Sequence, residues 1–257
     1  TIKEGLDGED ICGRAPTGSG KTLAFGIPLV VRTKAAKPRK PQSLILAPTR
    51  ELADQICKEL QAFSGKRTVS VVYGGVSYGP QRKALAKGVD ILVACPGRLE
   101  DLIEQRELTL EDVKQIVIDE ADRMADMGFM PAVKRILDQT SKDRQTILFS
   151  ATLDQDVAQL KKHYQHNPVT REIGEKTPDI KNADHTYAIA KKADKPELVA
   201  KAVNSTWPAI IFCRTRHGAD RLVKQLKKLG IESEPIHGGK SQHQRKRALK
   251  NFSTGKV

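Results

Sequence analysis

The chain has 257 residues, 39% hydrophobic and 29% charged, enough for one large domain or two smaller ones with well-buried cores. No run approaches the roughly 18 apolar residues of a membrane span, and no basic start followed by an apolar stretch marks a signal peptide. The four cysteines, Cys12, Cys57, Cys95 and Cys213, lack metal-ligand spacing and read as reduced core thiols of a cytoplasmic protein, against a zinc site or a disulfide framework.

The net charge is +13 and unevenly spread: from residue 177 onward, 17 Lys and Arg face 7 Asp and Glu. That basic portion suits a polyanionic partner such as nucleic acid, although basic solvated helices are common. Aromatic residues make up only 4%, so the core is expected to be aliphatic.

Along the chain, "DICGRA" (10–15) reads as a strand and "GKTLAFGIPLVVR" (20–32) as a helix. Between them lies "APTGSGKT" (15–22), the context a phosphate-binding loop requires. Gly18 and Gly20 allow backbone N–H groups to close around an anion, and the new helix adds its positive end. Lys21 can reach the β- and γ-phosphates and the Thr22 hydroxyl can ligate Mg²⁺. Ala15 stands where such loops usually begin with Gly.

A basic, Pro-bearing loop (34–42) leads to the strand "SLILAP" (43–48). Residues 49–63 have helical period, with Leu52, Ile56, Leu60 and Phe63 on one face. "VSVVYGG" (69–75), "DILVACPG" (90–97), "VKQIVIDE" (113–120) and "QTILFSAT" (145–152) follow as strands with helices between them. Short β-rich runs separated by helical spans predict a parallel sheet covered on both faces.

The strand at 113–120 ends on "DEAD" (119–122). Taken alone, three acids there could be a helix start stabilised by its dipole. Beside a phosphate loop, Asp119 suits the strand-end metal ligand of P-loop nucleotidases, and Glu120 suits the group that polarises the attacking water. Asp122 is a candidate for coupling rather than chemistry.

Residues 174–184 lack apolar periodicity and read as a linker separating a domain over 1–173 from one over 185–257. In the second, "HTYAIA" (185–190), "AIIFCRT" (209–215) and "ESEPIHGG" (232–239) are expected strands. Helices are expected over 195–205, about 217–229 with Leu222, Leu226 and Leu229 inward, and about 241–253. Three strands are few for a doubly wound domain, and no Met opens the chain, so the expectation is an internal piece cut inside its second domain.

In this order, "APTGSGKT", "PTRELA" (48–53), "GG" (74–75), "PGRL" (96–99), "DEAD" and "SAT" (150–152) resemble the motifs of the DEAD-box RNA helicases, and "IIFCRTR" (210–216) and "HGGKSQHQR" (237–245) resemble that family's second-domain motifs. The resemblance covers nearly the whole chain. It implies two RecA-like α/β domains, with parallel sheets covered by helices and the second domain truncated, holding ATP and RNA across the cleft between them.

It further implies that Ala15, Thr17, Gly18, Ser19, Gly20, Lys21 and Thr22 bind ATP, with Mg²⁺ on Thr22 and Asp119. Lys21, Asp119 and Glu120 would carry the chemistry, and Ser150 and Thr152 would link it to RNA. Thr49, Arg50, Gly75, Gly97 and Arg98 would line the RNA backbone on the first domain, and Thr215, Gly238, Gln242 and Arg245 on the second. Such contacts grip sugar and phosphate without reading bases, so binding is expected to tolerate sequence and weaken with salt.

The chain departs from the family at Cys95, where Thr usually precedes "PGR". The adenine-reading Gln and aromatic would lie upstream of Thr1, and the "RGLD"-type and His-Arg-Gly-Arg motifs beyond Val257, so weak nucleotide binding and little unwinding are expected of these residues alone. The alternatives are an ATP-dependent RNA clamp or ribonucleoprotein assembly scaffold, and another P-loop class such as a kinase or DNA translocase. No membrane partner is expected.

Overall fold

A computed structural model describes residues 1–15, 18–152, 155–173 and 184–257. The chain divides into two compact units, Thr1–Pro178 and Asp179–Val257. Apart from Asp184, the expected linker lies outside the described residues, as does Thr17.

In the first unit seven strands form one parallel sheet: β1 (Ile11–Arg14), β2 (Ser43–Leu46), β3 (Val69–Val72), β4 (Ile91–Ala94), β5 (Gln115–Ile118), β6 (Gln145–Ser150) and β7 (Val169–Glu172). Their spatial order is β3-β4-β2-β5-β6-β1-β7. The helices are α1 (Ile2–Asp7), α2 (Lys21–Arg32), α3 (Arg50–Phe63), α4 (Tyr78–Lys87), α5 (Pro96–Glu104), α6 (Ala121–Asp126), α7 (Met130–Asp138) and α8 (Gln155–Tyr164).

Strand side chains alternate between two cores, as the period of two demands. Ile45, Ile91, Val93, Val117, Ile147 and Phe149 pack with Phe25 and Leu29 of α2 and Ile56 and Leu60 of α3. Leu44, Leu46, Leu92, Ile116, Ile118 and Leu148 pack on the other face with residues of α5 to α8, among them Leu99, Leu102, Met124 and Val133. Because both faces are covered, β2, β4, β5 and β6 are buried at every position and read as unbroken runs rather than alternating ones.

Two elements carried no usable sequence signal. α1 is six residues long and stops at Gly8, whose φ is 88°. β7 is the edge strand "VTRE", largely exposed and polar, so neither period marks it.

The second unit contains α9 (Lys195–Ser205), α10 (Arg216–Lys228) and α11 (Gln242–Ser253), close to the expected spans. A small core joins Ala200, Val203, Leu226 and Ile231. The three strands expected there are absent among the described residues: 185–190, 209–213 and 231–236 carry no strand assignment. A parallel strand is stabilised by ladder bonds to a neighbour and by cover on its faces. These segments have no ladder partner and little cover: Ile231 is buried, but Tyr187 and Phe212 stand 91% and 94% exposed. Among the described residues no helix is long and apolar enough to cross a membrane.

Candidate nucleotide and RNA site

In a parallel sheet all strands end on the same edge, and the sequence motifs of the first unit sit at that edge. The phosphate loop follows β1, Thr49 follows β2, Gly75 follows β3, Gly97 follows β4, Asp119 follows β5, and Ser150 closes β6. Ligands of open α/β sheets bind at these carboxyl ends. The strand order places β1, β6 and β5 side by side, with β3, β4 and β2 beyond β5. The motifs expected to serve a nucleotide therefore occupy one stretch of the edge and those expected to serve RNA the adjoining stretch.

Gly18 and Gly20 have φ of 81° and 78°, in the left-handed region where other residues are strained, and a Cβ on either would meet nothing within 4 Å. Gly20 caps α2, so the first N–H groups of that helix face the loop. Ala15 is buried, whereas Gly18 and Gly20 are exposed and Ser19 and Thr22 partly so. Lys21 Nζ lies 3.7 Å from Asp119 Oδ1.

Asp119 is only 3% exposed. Burial pushes its carboxyl up to about 6; Lys21 and the Glu120 N–H oppose that rise, and the neighbouring Glu120 charge adds to it. A carboxylate held in a dry place beside one lysine suits coordination by a divalent cation, which supplies the missing positive charge. The loop, Lys21, Thr22 and Asp119 thus fit a nucleoside triphosphate with Mg²⁺.

Glu120 donates its N–H to Asp119 Oδ1 at 3.0 Å and caps α6 in the left-handed conformation, φ 52°. Such backbone costs a non-glycine residue about 1–2 kcal/mol. Its Oε2 is buried without a hydrogen-bond partner; the nearest cation is Arg123 Nη1 at 3.6 Å. A buried carboxylate oxygen without a hydrogen bond, next to a candidate metal ligand, is suitably placed to accept a proton from water.

Asp122, left aside as a coupling candidate, is tied to "SAT". Its Oδ2 accepts from Ala151 N at 3.2 Å, Thr152 N at 3.1 Å and Thr152 Oγ1 at 3.3 Å, and its own N–H donates to Ser150 Oγ at 3.1 Å. Ser150 is fully buried. These four bonds lock the segment after β6 onto the start of α6, so a shift of either would move the other.

On the adjoining stretch, Thr49 caps α3, its Oγ1 accepting from Leu52 N at 3.3 Å. Arg50 covers Gly75: a Cβ there would overlap the guanidinium, and φ is 78°. Gly97 lies in the first turn of α5 with open space before it. Cys95 caps that helix without a side-chain bond, and burial pushes its thiol up to about 12, so it stays neutral. Arg98 differs from its fellows: it is 7% exposed and donates from both Nη atoms to Val76 O at 3.2 Å.

In the second unit, Thr215 caps α10, accepting from Gly218 N at 3.0 Å. Gly238 has open space around it. Its turn is tied to α10 through Asp220, whose Oδ1 lies 2.8 Å from Lys240 Nζ and 3.2 Å from His237 Nε2; hydrogen bonds from these two hold the Asp220 carboxyl below its ordinary value. Gln242 opens α11, is buried, and accepts from Arg245 Nη1 at 3.4 Å.

Comparisons with known proteins give the chain's family and relatives. The family model "DEAD/DEAH box helicase" matches residues 1–160 and "Helicase conserved C-terminal domain" matches 194–257. The chain is 40% identical over 263 residues to DEAD-box ATP-dependent RNA helicase 3A, chloroplastic, of Zea mays, covering 98% of the chain and 35% of that relative. It is 38% identical over 263 residues to DEAD-box ATP-dependent RNA helicase CshA of Streptococcus pneumoniae serotype 4, covering 100% and 50%. The chain thus spans about a third to a half of the length of these relatives.

Among solved structures it is similar to a DEAD box protein from the hyperthermophile Methanococcus jannaschii, with TM-score 0.63, 33% identity, and 100% of this chain and 70% of that one covered. It is also similar to the yeast DEAD-box splicing factor Prp28, with TM-score 0.64, 35% identity, and coverage of 97% and 60%.

Proposed function

The chain belongs to the DEAD/DEAH box helicase family, and from that premise we propose that it works as an RNA-dependent ATPase that uses ATP to grip RNA and part short duplexes. The observation that carries this reading is the shared sheet edge. A phosphate loop, a Lys21–Asp119 pair at 3.7 Å and a buried Glu120 oxygen without a hydrogen bond adjoin helix N-termini suited to a sugar–phosphate chain.

In this reading the N–H groups around Gly18 and Gly20 hold the phosphates and Lys21 turns its charge from Asp119 toward them. Thr22 and Asp119 would hold Mg²⁺, which would supply neutralising charge to the phosphate oxygens. Glu120 Oε2 accepts the proton of the attacking water. Asp122 carries any displacement at α6 to Ser150–Thr152. Thr49, Arg50, Gly75 and Gly97, with Thr215, Gly238, Gln242 and Arg245 on the second unit, serve the RNA backbone, so the grip ignores base identity.

We extend the proposal to a nucleotide-binding domain over 1–173 joined by 174–184 to a second helicase domain over 185–257. It also includes ribonucleoprotein partners and a cytoplasmic place of work, which the four free thiols suit. The test is fluorescence anisotropy of a labelled single-stranded RNA, with and without a non-hydrolysable ATP analogue and Mg²⁺. Tighter RNA binding with the analogue, lost in Lys21→Ala, is expected. RNA binding indifferent to nucleotide would refute it.

A further inference from the structure

Tyr78 is the first residue of α4 and belongs to none of the motifs. Its ring lies against Arg98, with the guanidinium carbon 3.8 Å from the ring centroid, and Arg82 lies over the ring at 5.3 Å. Its hydroxyl donates to Asp101 Oδ2 at 3.1 Å, and the same oxygen lies 3.8 Å from Arg98 Nε. The ring is thus fixed at its tip by α5 and at its base by α4.

The stacked guanidinium faces the turn after β3, where both Nη atoms reach Val76 O. Arg50 covers the same turn at Gly75. The turn is therefore held by two arginines, one over Gly75 and one on the Val76 carbonyl. A guanidinium that is stacked, buried and turned onto a carbonyl is spent on protein structure; a phosphate contact needs it at the surface.

Resting on the RNA reading above, we infer that Tyr78 is a positioning residue. By clamping Arg98 it sets the spacing between the Gly75 turn and the N-terminus of α5, two of the places where the RNA backbone is held. Arg98 serves that grip through Val76, not through a nucleotide.

Salt dependence separates the two roles. A side chain that neutralises a phosphate releases a counterion, so its removal flattens the slope of log affinity against log salt by about 0.7 for a single strand. A positioning residue lowers affinity at every salt concentration and leaves the slope alone. The probe is a short fluorescein-labelled oligouridine titrated over a salt series against wild type, Tyr78→Ala, Tyr78→Phe and Arg98→Ala.

Tyr78→Ala and Arg98→Ala are each expected to weaken binding about three- to tenfold, the worth of a partly buried cation–π contact of about 1 kcal/mol. Both should keep the wild-type slope, and Tyr78→Phe, which keeps the ring, should stay within about twofold of wild type. Amide exchange of residues 74–77 without RNA should quicken in Tyr78→Ala by more than its lowered unfolding midpoint accounts for, and should not quicken in Tyr78→Phe. A flattened slope for Arg98→Ala together with wild-type affinity for Tyr78→Ala overturns the proposal, as does unchanged exchange in Tyr78→Ala. A wild type that does not bind the probe overturns the RNA reading and the clamp's use in it, while the exchange arm still decides whether the clamp exists.

Discussion

Replacing Asp119 by Asn is expected to destroy nucleotide chemistry while making the first unit more stable at neutral pH. Burial raises the folded-state pKa from 3.8 to about 6, so the native form holds a proton that the unfolded chain has released. The group's contribution is therefore greatest at low pH and is lost as pH rises through about 4 to 6. At pH 7 the buried charge costs on the order of 3 kcal/mol, the equivalent of that shift. Asn carries no charge to desolvate, but it leaves Lys21, 3.7 Å away and largely buried, facing an amide. The net gain at pH 7 is accordingly expected to be about 1–2 kcal/mol.

A difference between pH values isolates the part of the effect that follows the ionisation of Asp119. Between pH 5 and pH 7 wild type should lose about 1 kcal/mol relative to Asp119→Asn. The assay is urea-dependent hydrogen exchange of β5 and β6 at the two pH values, which reads the first unit alone. A gap between the two proteins that is the same at both pH values would show that Asp119 is not held in a charge-hostile place.

Asp122→Ala should release the three bonds that Oδ2 accepts from Ala151 and Thr152 while keeping the backbone bond to Ser150; it should destabilise the first unit by about 1–2 kcal/mol in urea unfolding, and abolish stimulation of ATP hydrolysis by RNA while leaving nucleotide affinity within a few fold. Gly75→Ala places a methyl against Arg50 at a φ of 78°; a loss of about 1–2 kcal/mol of stability and weaker RNA binding without a change in nucleotide affinity are expected by denaturation and anisotropy. Strand displacement on a short RNA duplex should need ATP; displacement that never exceeds the level seen with a non-hydrolysable analogue would favour the clamp.

The first unit was legible because its central strands are buried on both faces: "SLIL", "ILVA" and "QIVI" can be little else beside amphipathic helices. The phosphate loop was legible because glycines with positive φ and the lysine opening the helix are local requirements. The strands expected in the second unit were not found, because a strand depends on neighbours that an apolar run such as "AIIFC" does not itself contain. α1 and β7 were missed for the opposite reason: one is too short and the other too polar to show a period.

At the site, the motifs mark which loops meet at the sheet edge, but not what each side chain does there. Arg98 sits in a motif that implies a phosphate contact, and the structure buries it against Tyr78, twenty residues away in the chain. The four-bond tie from Asp122 to Ser150, Ala151 and Thr152 likewise depends on β5 and β6 lying side by side. Spacing along the chain carries neither fact.

The most direct measurement is ATP turnover by wild type and Glu120→Gln, with and without single-stranded RNA, alongside nucleotide affinity. Gln keeps the shape at residue 120 but cannot take a proton. RNA is predicted to raise wild-type turnover, and the variant is predicted to lose about 10²–10⁴-fold in rate with its nucleotide affinity little changed. RNA-stimulated turnover in Glu120→Gln near the wild-type rate would contradict the account.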